Sequence, residues 1–169
     1  MRVAPEIVAG LCRARSRDLL TMAFGELSSV DPVRLLWAIA GVESSFGRDS
    51  YPRHENAYCY NGRYFNPQVT AEVGCLAHCS YGPWQVMYAN FPAGVDPRAL
   101  LPFNEGRIAA ELSIRAAIAV LNKAIVRNAR SLVDLVTHYN GPDDVPEYSR
   151  RLFAAMDRPM PQDVGTVAV

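Results

Sequence analysis

The sequence predicts a mainly α fold that carries one small β-hairpin insertion. Three observations predict it. Apolar residues recur at helical spacing over most of the chain, turn-forming residues displace that period between Arg48 and Ser80, and the Asn61-Gly62 pair within the interruption separates two short β-prone runs. The chain has 169 residues, 50% apolar and 20% charged, enough to bury one core and short for two. That composition excludes a disordered tail, a collagen-like fibre and a polar linker.

From Ala4 to about Leu27 the residues Ile7, Val8, Leu11, Cys12, Leu19, Leu20, Met22 and Phe24 keep helical spacing against an arginine-rich outer face, predicting a first helix interrupted near Ser16. Asp31 and Pro32 supply a cap and a first-turn proline for a second helix. Val33 to Val42 is apolar on nearly every side, so this helix is expected at the centre of the domain, with Gly47 as its stop. Pro52, Asn56, Asn61, Gly62, Asn66, Pro67 and Gly74 then break the period, and Tyr58 to Phe65 reads as a hairpin turning at Asn61-Gly62. Pro92 to Pro102 is a connector with one turn of helix, and Asn104 to Arg127 is the longest helix. Ser131 caps a helix running to about His138, Gly141-Pro142 ends it, and Val145 to Met156 forms the last one. One domain is expected over 1–157, with 48–80 as its insertion and 158–169 as a flexible tail. Neither an internal repeat nor a low-complexity segment is present.

Seventeen basic residues balance seventeen acidic ones, which leaves no net field to hold nucleic acid or an anionic bilayer. The central apolar run Leu35 to Val42 is well short of the ~18 residues that cross a membrane, so no span is expected. Glu6, Arg13, Arg15, Arg17 and Asp18 interrupt the first twenty residues, and no signal peptide is read there. The expectation is a protein that stays in its cell, or leaves by lysis, in a phage particle or in a trimmed form. It is expected to be a monomer.

Glu43 stands at the C-terminal end of the buried helix, followed by Ser44-Ser45-Phe46-Gly47. Apolar surroundings and the negative end of the helix dipole both favour its neutral form, which suits a proton donor to a glycosidic oxygen. For an arbitrary glutamate, a helix end fraying into solvent is by far the better explanation of the position. Two distant segments change that weighting: Ser80-Tyr81-Gly82-Pro83-Trp84-Gln85-Val86-Met87 and Thr137-His138-Tyr139-Asn140-Gly141.

With these three segments in order, the chain from about Asp31 to Gly141 resembles the lytic transglycosylase family of the lysozyme-like superfamily. Glu43-Ser44 resembles the family's glutamate-serine pair at a helix end. Gly82-Pro83-Trp84-Gln85 is similar to its Gly-Leu-Met-Gln segment, with Pro83 and Trp84 in place of Leu and Met, and Tyr139-Asn140-Gly141 to its Tyr-Asn pair. The separation of Gln85 from Glu43 is longer than the family pattern, and the extra length holds the hairpin and three cysteines. The resemblance implies a lysozyme-like fold and cleavage of the β-1,4 link between N-acetylmuramic acid and N-acetylglucosamine in peptidoglycan. It implies that Glu43 is acid and then base, that Ser44 touches substrate, that Gly82 and Gln85 shape the groove floor, and that Tyr139 lies close to Glu43. Asn140 is read equally as a substrate contact or a scaffold residue. Tyr81 and Trp84 are read as groove residues through that motif, whereas Tyr51, Tyr58, Tyr60 and Tyr64 are read as packing.

A two-carboxylate hydrolase needs a second acid, for which Asp49, Glu55 and Glu72 are the nearby candidates. A transglycosylase needs none, because the sugar's C6 hydroxyl takes the place of water. Three readings follow: a transglycosylase without a cofactor; a muramidase on the same fold; and a glycan-binding or structural part of a phage particle or secretion machine without turnover. The place of action would be the cell wall, in the periplasm, outside the cell or on a phage. Among the remaining residues, Cys12 reads as core. Cys59, Cys75 and Cys79 read first as a disulfide or free thiols, and only second, with His54 and His78, as a metal set, since the two-residue cysteine knuckle is missing. His138 reads as a helix-end histidine.

Overall fold

A computed structural model describes residues 2–20, 25–100, 106–141 and 144–162. Among these the fold is mainly helical with a small three-stranded antiparallel sheet, as the sequence predicts. Helix α1 (Pro5–Arg15) leads to the central helix α2 (Pro32–Ser44). Strand β1 (Arg53–His54) follows, then the short helix α3 (Pro67–Val73) and strands β2 (Cys79–Tyr81) and β3 (Val86–Met87). Helices α4 (Arg107–Val126), α5 (Leu132–Asn140) and α6 (Val145–Met156) complete the order. No helix among the described residues is long and apolar enough to cross a membrane.

Helix α2 starts where the sequence places it. The Asp31 carboxylate accepts from Val33 N at 2.8 Å, and Pro32 occupies a position whose missing N–H would have had no helical partner. Leu35 to Ala40 are all buried between α1 and α6, which accounts for the run without a polar face. The helix ends before Gly47. Ser45 (φ 51°) and Phe46 (φ 61°) are already left-handed, and their N–H groups turn back to Gly41 O and Ala40 O. This folds the Phe46 ring onto Trp37, with centroids 4.3 Å apart, across a gap that exists because residue 41 is glycine: a Cβ there would lie 2.5 Å from Phe46 Cε1.

The expected first helix stops at Arg15. A 3-10 turn covers Ser16–Asp18, and Asn122 of α4 holds the exit by donating to Asp18 O (3.0 Å) and accepting from Leu20 N (2.8 Å). Met22 and Phe24 lie outside the described residues, and Gly25–Ser29 is a separate 3-10 turn. Helix α5 opens on a capping box in which Ser131 and Asp134 satisfy each other's backbone N–H groups.

The hairpin expected at Asn61-Gly62 does not form. A two-residue type I′ turn needs positive φ at both central residues, and only Asn61 has it (66°); a Cβ on Gly62 would meet Ala57 O at 2.5 Å. The segment instead coils into local turns, with Tyr58 N, Cys59 N and Tyr64 N bonded to Glu55 O, Asn56 O and Ala57 O. The hairpin lies later, between β2 and β3, where Tyr81 faces Val86 across the turn Gly82–Gln85. β1 pairs with the other edge of β2, in the register Arg53 to Ser80 and His54 to Cys79.

The loose tail expected from Arg158 is held against the body over 158–162. Arg34 Nη1 donates to Arg158 O at 2.9 Å, the Arg13 guanidinium donates to Pro161 O, and Met160 packs on the core. Residues 163–169 lie outside the described region.

Candidate active site

Glu43 lies in the last turn of α2 with its side chain 7% exposed. Oε1 accepts from the Tyr148 hydroxyl of α6 at 2.8 Å, and Oε2 lies 3.4 Å from Arg53 Nη2 of β1. Burial raises its pKa above the ordinary glutamate value. The Tyr148 hydrogen bond and the charges of Arg53 and Arg151 oppose burial without cancelling it. Arg151 is held nearby, donating to Val42 O at 2.7 Å.

The carboxyl group opens into a cleft of about 480 Å³, within the range of small-ligand sites. Opposite residues on antiparallel strands share a face, and Arg53, Ser80 and Met87 present one such face to the cleft. The end of α5 and Gly141 beyond it form a second wall, Lys123 of α4 and Arg127 just past its end a third, and Tyr58 and Tyr64 of the insertion a fourth.

Of the residues the sequence singles out, the structure brings Glu43, Gln85, Tyr139 and Asn140 to this cleft. Gln85, in a left-handed conformation at φ 43°, accepts from Ser80 Oγ (2.9 Å) and donates to Gly82 O (2.9 Å) and Tyr51 O (3.1 Å). Its amide therefore braces the floor. Tyr139 donates to Trp84 O at 2.7 Å; burial, then the Glu43 charge, hold its pKa well above the tyrosine norm. Asn140 is exposed at the rim.

Ser44, Tyr81, Gly82 and Trp84 are placed behind the cleft rather than in it. One residue on from Glu43 along a helix is a rotation of about 100°, so Ser44 faces inward. Its hydroxyl contacts Pro83 O (2.7 Å) and Ala40 O (3.0 Å) and accepts from Gly47 N. Tyr81 is core, donating to Leu76 O at 2.8 Å. Trp84 is core as well, and its Nε1 donates to Leu36 O at 2.8 Å. At Gly82 (φ 72°) a Cβ would lie 2.5 Å from Ser113 Cβ, so the glycine lets the turn seat against α4. The motif acts as a clamp between helices.

Family models, curated proteins and solved structures yield no match to this chain.

Sequence reasoning misses Tyr148 and Arg53, the two groups that touch Glu43. Tyr148 belongs to the buried stripe Tyr148, Leu152 and Ala155 of α6, and a hydroxyl on such a stripe is a detectable signal of a buried partner. Arg53 has no such signal, because its strand is two residues long. Glu55, one of the three second-carboxylate candidates, also lines the cleft. Arg53 Nε donates to Glu55 Oε1 at 2.7 Å, so one guanidinium spans both carboxylates. Ser80 Oγ lies 3.0 Å from the same Glu55 oxygen. All four cysteines are unpaired, and no disulfide joins Cys59, Cys75 or Cys79. Cys12 is buried in the core, as the sequence implies, and burial pushes its thiol pKa up. His138 is exposed on the cleft wall.

Proposed function

We propose that this protein is a peptidoglycan lytic transglycosylase that cleaves the N-acetylmuramic acid–β-1,4–N-acetylglucosamine bond with Glu43 as acid and then base. The observation that carries the reading is the environment of Glu43: a carboxyl group shielded from water, biased to its neutral form, and opening on a polar cleft of sugar size. The similarity of the Glu43-Ser44, Gly82–Gln85 and Tyr139-Asn140 segments to the family pattern points the same way.

Tyr148 donates to Oε1 at 2.8 Å, a closer contact than the 3.4 Å from Arg53 Nη2 to Oε2, so the acid proton is assigned to Oε2. Oε2 gives it to the bridging oxygen as the bond to C1 breaks, and the N-acetylglucosamine fragment leaves with that proton on its 4-oxygen. The Tyr148 hydroxyl and the Arg53 guanidinium then stabilise the carboxylate that remains. That carboxylate removes the proton of the muramyl C6 hydroxyl, whose oxygen bonds C1 and closes the 1,6-anhydro ring. Glu43 is again neutral and no water is consumed. Lys123 and Arg127 on the α4 wall suit the carboxylates that peptide-bearing sugars carry.

Glu55 favours a second reading. A carboxylate in the same cleft is what a hydrolytic muramidase requires to activate water or to attack the anomeric carbon. Incubation with purified cell walls separates the readings. Wild type should clear them and release anhydromuramyl ends, Glu43→Gln should lose about 10²–10⁴-fold in rate while still binding glycan, and Glu55→Gln should keep anhydro products. Reducing ends that vanish with Glu55→Gln would establish the muramidase; equal clearing by wild type and Glu43→Gln would remove Glu43 from the chemistry.

A further inference from the structure

On the other side of the sheet from the cleft, one ring nitrogen each of His54 and His78 and the Cys59 sulfur lie within 4.8 Å of one another. His54 ends β1 and Cys59 follows the next 3-10 turn five residues later, whereas His78 comes from the approach to β2 at the far end of the insertion. Cys59 Sγ is 3.1 Å from His54 Nε2. Two ligands on one tetrahedral zinc, at bonds of about 2.3 Å to sulfur and 2.1 Å to nitrogen, stand about 3.6 Å apart, so a small outward shift admits the ion.

His78 is 3% exposed and its tautomer can be deduced. The Thr70 hydroxyl gives its one proton to Asn66 O at 2.8 Å, so at 3.1 Å from His78 Nε2 it must accept. Nε2 therefore carries the hydrogen and Nδ1 keeps the lone pair that a metal needs. Fixing the non-ligating nitrogen through a hydrogen bond is what orients histidine in metal sites.

A fourth donor lies outside that 4.8 Å group and would have to move in to complete it. Cys79 lies directly opposite His54 in the β1–β2 ladder, so both side chains leave the sheet on one face, while Arg53 and Ser80 leave on the cleft face. We propose that His54, Cys59, His78 and Cys79 bind a structural Zn²⁺. Two thiolates and two imidazoles in a closed set suit zinc over the oxygen-seeking cations. The ion would pin the segment whose adjacent residues, Arg53 and Tyr58, line the cleft.

The test uses the full chain, purified in reducing buffer without chelator, and reads metal rather than glycan cleavage, so it stands or falls apart from the proposed activity. Folded wild type should hold about one zinc, and the cobalt-substituted protein should show intense tetrahedral d–d absorption with a thiolate charge-transfer band. Cys59→Ser should lower zinc affinity by more than the ~100-fold typical of an outer-shell loss. Cys79→Ser should reduce the charge-transfer intensity by about half, and Cys75→Ser should change nothing. Folded wild type without zinc, weak octahedral cobalt bands, or undiminished affinity in Cys59→Ser would overturn the site. An unaltered charge-transfer band in Cys79→Ser would overturn its fourth ligand.

Discussion

Arg53 and Tyr148 act on Glu43 in the same direction: each stabilises its charged form against the cost of burial. Removing either one leaves desolvation less opposed, and the carboxyl group holds its proton to higher pH. A reaction that needs Glu43 protonated loses rate as pH rises through that value. The alkaline limb of the cleavage rate should therefore move to higher pH in both Tyr148→Phe and Arg53→Met. A pH–rate profile on purified peptidoglycan checks this, and a limb that moves down or stays fixed contradicts the assignment. Glu43 was legible in the sequence because its helix carries no polar face, which marks the segment as buried before any motif is considered. Arg53 was not legible. A two-residue strand sets no hydrophobic period, and the contact to Glu43 arises from pairing with β2, where Arg53 lies opposite Ser80, twenty-seven residues away in the sequence.

At the scale of elements, the turn Gly82–Gln85 decides how the cleft is built. Its left-handed glycine lies against Ser113 of α4, where the Ser113 hydroxyl donates to Tyr81 O at 3.0 Å. Gly82→Ala must bear an unfavourable φ of about 1–2 kcal/mol and displace Ser113 as well, so it should destabilise the fold by more than about 2 kcal/mol in urea titration. The conversion of Ser131 to alanine removes half of the α5 capping box and should cost about 1 kcal/mol by the same measurement. Helix α2 was readable from Asp31, Pro32 and its unbroken apolar run, α5 from its Ser131 cap and the glycine that ends it, and α6 from its Pro146 start and buried stripe. The hairpin was not. Asn61-Gly62 is a strong local signal, yet Gly62 packs against Ala57 O without the positive φ that turn requires, whereas the reversal that forms spans four residues and carries no Asn-Gly pair. The groove roles read for Tyr81 and Trp84 failed for a related reason: a motif records which residues matter but not whether they face the cleft or the core.

For the whole molecule, the position of Glu43 has a thermodynamic sign. Below the ordinary glutamate value of 4.5 the group is neutral in folded and unfolded chains alike, and its contribution to stability is complete there. As pH rises, the unfolded chain ionises first, so stability falls until the raised value of the folded state is passed. Glu43→Gln has no proton to lose. Its stability advantage over wild type should be small at acid pH and grow toward alkaline pH in denaturation midpoints; a constant difference would place the carboxyl group in water.

The four carbonyl oxygens of Leu36, Tyr81, Pro83 and Trp84 receive hydrogen bonds from Trp84, Ser113, Ser44 and Tyr139 in turn. Backbone carbonyls thus register α2, α4 and α5 around one reversal, and of the four donors only Tyr139 also lines the groove. Tyr58, Tyr64 and Lys123 stand outside that framework, so under the proposed function they are the positions at which a glycan preference would be re-engineered while Glu43 stays in place.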